Sequence, residues 1–142
     1  MENRIQTVCQ HCTDDSGAFR WPSDEAERNK LASQILGACV VAGMDYSLAD
    51  ALANLPPDLS AEQLSKIRRL FLQTVSSVAF SILVKLDQFP HANLDLILSD
   101  LENDDRVASI VDGEIFDLHD RLGGWLEQFS DYANEFASCW TA

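Results

Sequence analysis

Positive charge is scarce in this chain: its 142 residues carry 10 Lys and Arg against 23 Asp and Glu, a formal net charge of −13. A surface of that sign repels phosphate backbones and anionic lipid headgroups, so nucleic-acid and membrane binding are disfavoured. Cysteine is sparse too. Cys9, Cys12, Cys39 and Cys139 are too few to staple a chain of this length, and nothing marks it for an oxidising compartment, so reduced thiols are expected. Long apolar runs are missing as well. The longest uncharged stretch, Leu70 to Val84, is 15 residues interrupted by Gln73, Thr74, Ser76, Ser77 and Ser81, whereas a membrane span needs about 20. Met1 to Cys12 is polar and holds Glu2 and Arg4, unlike a secretory leader. A soluble, cytoplasmic protein is the expectation. The motifs G-x-x-x-x-G-K-[ST], G-x-G-x-x-G, H-E-x-x-H and G-x-S-x-G are all absent, which removes the common phosphate, dinucleotide, zinc-protease and hydrolase signatures.

What is present is enough apolar material, 46%, for one domain with a real core. The acidity is uneven. Residues 87–142 hold 13 Asp or Glu against Arg106 and Arg121, so 13 minus 2 places −11 of the −13 in that stretch. This is either a solvated set of helix faces or a surface that meets a basic partner.

Residues 1–22 read as an irregular N-terminal arm, with a polar turn cluster from Thr13 to Gly17 and Trp21-Pro22 closing it. Residues 23–142 read as an all-α helical bundle of about four to six helices. Asp24 with Glu27 has capping-box character, and Leu31, Ile35, Leu36, Cys39 and Val40 recur at helical spacing up to Gly43, which predicts a first helix over 24–42. Ser47 with Asp50 opens a short second helix over 48–54, ended by Pro56-Pro57. Ser60 with Gln63 is another capping box, and Leu64, Ile67, Phe71, Val75, Val78, Ile82 and Leu86 follow at intervals of 3 and 4. This long third helix carries apolar residues nearly all round, which predicts the central position in the bundle. Pro90 stops it, and Leu94, Ile97, Leu98 and Leu101 suggest a short connecting helix.

From Val107 to Phe116 two readings compete. Asp112-Gly113 between apolar residues is a hairpin signal, yet Asp112 also serves as an N-cap, and the helical reading is preferred. Leu118, Leu122, Trp125, Phe129, Tyr132, Phe136 and Trp140 fall on one stripe of a last helix over 114–138. Gly123-Gly124 inside it predicts either a break or a close approach by another helix, the break being preferred.

Candidate chemistry is thin. Cys9-Gln-His-Cys12 has the spacing of half a zinc site, but no second pair completes it and no metal is assigned. His119-Asp120 resembles the pair of the HD family of helical metal-dependent phosphohydrolases, which would make His91 the first ligand; Asp131 follows by only 11 residues, and Asp120 projects about 100° from His119 on a helix. Asp117 with Asp120 and Glu127 with Asp131 do not form the matched acidic pairs that all-α nucleotide pyrophosphatases use for magnesium. No catalytic or cofactor-binding residue is assigned.

The leading expectation is a non-enzymatic binding module whose acidic face, Asp117, Asp120, Glu127, Asp131 and Glu135, docks on a basic protein, with Trp140 as an exposed anchor. In size and charge it resembles small acidic inhibitors such as bacterial immunity proteins, a likeness of composition alone. A structural homo-oligomer, paired through Gly123-Gly124 or the aromatic stripe, and a metal-dependent helical hydrolase using His91 and His119 are the alternatives.

Overall fold

A computed structural model describes residues 4–87, 97–99, 105–109 and 118–140, with only the backbone of Ile97, Leu98 and Trp140. The chain is an all-α helical bundle with a small β-ribbon on one side. Its described elements are α1 (Arg4–Cys9), a 3-10 turn (Gln10–Cys12), α2 (Glu25–Ala53), α3 (Ala61–Asp87), β1 (Ile97–Ser99), β2 (Arg106–Ser109), α4 (Leu118–Phe129) and α5 (Ala133–Trp140). The arm is therefore partly helical, and α1 packs against α2.

Two of the three capping signals mark real helix starts, while Ser47 with Asp50 lies inside α2. The Asp24 carboxylate accepts from Glu27 N at 3.0 Å and opens α2. At α3 both halves of the box form: Ser60 Oγ accepts from Gln63 N at 3.2 Å, and Gln63 Oε1 accepts from Ser60 N at 2.9 Å. The predicted boundary at Gly43 does not exist, because α2 runs unbroken through both predicted segments. Val41, Met44 and Leu48 keep one buried face continuous across it, and burying three such side chains, about 1.5–3 kcal/mol each, outweighs a glycine cost of about 1 kcal/mol.

The central helix is α2, not α3. Nine of its residues are buried, from Leu31 to Leu48, against three on α3, Leu72, Ser76 and Leu83. α1, α3, α4 and β2 all pack on α2. Gly37 is the tightest point, since a Cβ there would collide with the ring of Trp125 on α4. The core joins Val41, Met44 and Leu48 to Leu118, Leu122, Trp125, Leu126 and Phe136.

Two further expectations are corrected. Ile97 to Ser99 is a strand rather than part of a helix, and Val107 to Ser109 is strand as well. The two strands pair antiparallel, with Leu98 opposite Ala108, so the ribbon that forms is not a hairpin turning at Asp112-Gly113, which lies outside the described residues. Two side chains of α2 hold this ribbon: Arg28 Nε donates to Val107 O at 2.8 Å, and Asn29 Oδ1 accepts from Ser109 N at 2.8 Å.

The last helix is interrupted at Ser130–Tyr132, while Gly123 and Gly124 sit inside α4 with nothing within 4 Å of a Cβ at either. Among the described residues, neither a break nor a close approach accounts for the pair. By length and composition both α2 and α3 are apolar enough to cross a membrane, a test that buried core helices also pass.

Candidate functional site

Three polar junctions tie the acidic C-terminal helices to the rest of the bundle. At the first, Asp45 of α2, only 4% exposed, accepts from Ser130 Oγ at 2.7 Å and from Asp131 N at 2.8 Å. Nη2 of Arg4 on α1 lies 2.7 Å from the Asp45 carboxylate and 2.6 Å from that of Asp131. A buried carboxylate is tolerated there because amide, hydroxyl and guanidinium all face it. This junction sets the α4–α5 corner, which periodicity alone had no means to locate.

At the second, Arg68 of α3 grips Glu135 of α5 with two bonds of 2.5 and 2.7 Å and lies 5.5 Å from the Tyr132 ring centroid. The hydrogen bond from Arg68 holds the Glu135 carboxyl below its usual range, against some opposing burial. The same bond raises the Arg68 guanidinium.

At the third, Asp87 at the end of α3 caps the start of α4, accepting from Leu118 N at 2.8 Å and His119 N at 3.1 Å. Its carboxylate also stands 2.7 Å from His119 Nδ1. Burial pushes the Asp87 carboxyl up, but the His119 ring and the two amides outweigh it and leave it lowered. An ionised Asp87 requires the proton on Nδ1 of His119. Nε2 then faces Asp120 Oδ1 at 3.4 Å. The two carboxylates therefore stand at different nitrogens of the ring and cannot share one ion with it. Among the described residues, no three His, Cys, Asp or Glu side chains form a group that could hold a metal. His91 lies outside the described residues.

Cys9 and Cys12 are half-buried in the arm and Cys39 is exposed on α2. Burial, with smaller contributions from Cys12 and Cys39, pushes the Cys9 thiol up, so it stays protonated and a poor nucleophile.

The residues expected to meet a partner separate into distinct groups. Asp117 lies outside the described residues, as does the side chain of Trp140. Glu135 is committed to Arg68. Asp131 pairs with Arg4 yet keeps 71% of its side chain exposed. Asp120 and Glu127 remain on the outer face of α4, the turn opposite to buried Leu118, Leu122, Trp125 and Leu126. Gly123 and Gly124 lie between them, both exposed and with open space above. The outer strip of α4 is thus bare backbone between two carboxylates, with Asp131 just beyond. The sequence marks it only as a glycine pair in an acidic amphipathic helix. Comparison with known protein families, with curated proteins and with solved structures finds no match.

Proposed function

We propose that this protein is a non-enzymatic binding module, acting in the cytoplasm, whose acidic α4 strip docks on a basic surface of another protein. The observation that carries the reading is the pair Gly123 and Gly124, exposed between Asp120 and Glu127 on a helix whose opposite face is locked into the core. Each glycine costs about 1 kcal/mol in a helix interior, and no contact among the described residues requires either. A partner that approaches the bare backbone would supply the reason, with Asp120, Glu127 and Asp131 steering a basic surface toward it.

The test is affinity capture at low and high salt with the wild-type chain and the Asp120→Lys, Glu127→Lys double variant. Retention of one basic protein at low salt, its release at high salt and its loss with the double variant would support the reading. Capture that is indifferent to both salt and charge reversal would overturn it.

A further inference from the structure

We infer that the outer face of α3 is a self-association surface, at which two copies of this chain pair about a two-fold axis. This goes beyond the proposed docking strip, which lies on α4. Eight large apolar side chains stand exposed among the described residues, and five of them, Leu64, Leu70, Val78, Phe80 and Ile82, belong to α3. Leu70, Val78 and Ile82 leave 59%, 54% and 56% of their surface in water.

The shape is self-complementary. A ridge formed by Thr74, Val78 and Ile82 has on one side a shallow strip of α3 itself, bearing Leu70, Ser77 and Ser81, and on the other an open groove of about 480 Å³ between α3 and α2. Val40, Gly43 and Ser47 of α2 form the far wall of that groove. In an antiparallel pairing the ridge of each copy enters the groove of the other, and the short Ser, Thr and Gly side chains leave room for it.

Charge favours this face over the acidic helices for pairing with a second copy. α3 carries Lys66, Arg68, Arg69 and Lys85 against Glu62 and Asp87, a balance of +2 within a chain of −13. No acidic residue lines the strip or the groove, and Lys85 is the one charged residue that does, among the described residues. Two copies meeting at the acidic helices would repel, whereas here they bring uncharged surface together.

The footprint fits a modest dimer. Leu70 to Leu86 spans about 24 Å of helix, and α2 and α3 side by side give a width of about 20 Å. That is about 480 Å² per copy, or about 1,000 Å² in all, the lower end for a specific interface.

Sedimentation velocity on the full chain, from about 1 to about 300 µM, tests this. The expected result is a concentration-dependent monomer–dimer equilibrium that persists or strengthens at high salt, because screening relieves the repulsion between two acidic bodies. Val78→Asp with Ile82→Asp should weaken it about 30-fold or more, with an unchanged circular dichroism spectrum and melting temperature, while Glu127→Lys leaves it intact. A monomer across the whole range, or a dimer unaffected by the double variant, overturns the inference. So does a dimer dispersed by salt.

Discussion

α2 and α3 are of nearly equal length, 29 and 27 residues, and both are apolar enough to pass for membrane spans, yet they occupy opposite situations. α2 is packed by α1, α3, α4 and β2, while α3 has one packed side and leaves Leu70, Val78 and Ile82 to solvent. Apolar content measures how much surface a helix is able to bury. Where the other helices dock decides how much it does bury.

That contrast is sharpest in the core. Leu48→Ala and Leu122→Ala, both fully buried, should each lose about 2–5 kcal/mol in urea unfolding, whereas Ile82→Ala on α3 should change stability by about 0.5 kcal/mol or less. Equal losses would mean that α3 is covered in solution. Asp45→Ala comes next, because it strips Arg4 of its buried partner and unpins the α4–α5 corner; a loss of about 3–5 kcal/mol is expected in the same assay. Gly37→Ala should destabilise by about 1–3 kcal/mol through overpacking on Trp125, despite alanine's better helix propensity, and should shift the tryptophan fluorescence. Gly124→Ala, on the open side of α4, should instead stabilise by up to about 1 kcal/mol. A change of sign between these two glycines separates the buried axis from the open faces.

The smallest effect is in acid. Asp87 and Glu135 both have lowered pKa values in the folded chain, so their contributions are complete above the unfolded carboxylate range of about 4 and are lost as the pH falls through their folded values. Asp87→Asn should remove the Asp87 part of that acid loss, read as a flatter melting-temperature curve below about pH 4.

The starts of α2 and α3 were legible in the sequence because their causes are local. Asp24 with Glu27 and Ser60 with Gln63 need only neighbours three residues away. The errors fell where a distant residue decided the outcome. Gly43 was read as a stop, yet packing of Val41, Met44 and Leu48 carries the helix through. The interruption at Ser130–Tyr132 was placed at Gly123-Gly124, because the Asp45 carboxylate that holds the corner is 85 residues away from Ser130. Val107 to Ser109 was read as helix, yet Arg28 and Asn29 hold it as a strand from about 80 residues upstream. The candidate strip was visible only in part: Asp120 and Glu127 were named, but not that Glu135 is taken by Arg68 or that the glycines face open space.

The sequence by itself determined the all-α class, the acidic surface and the caps of α2 and α3, since composition and three- and four-residue spacings act locally. Only the tertiary structure decided which long helix is central, which acidic residues are held in internal ion pairs, and which apolar face remains uncovered. Those outcomes depend on which surfaces meet, and contacts between residues 67 to 88 positions apart leave no periodic trace in the chain.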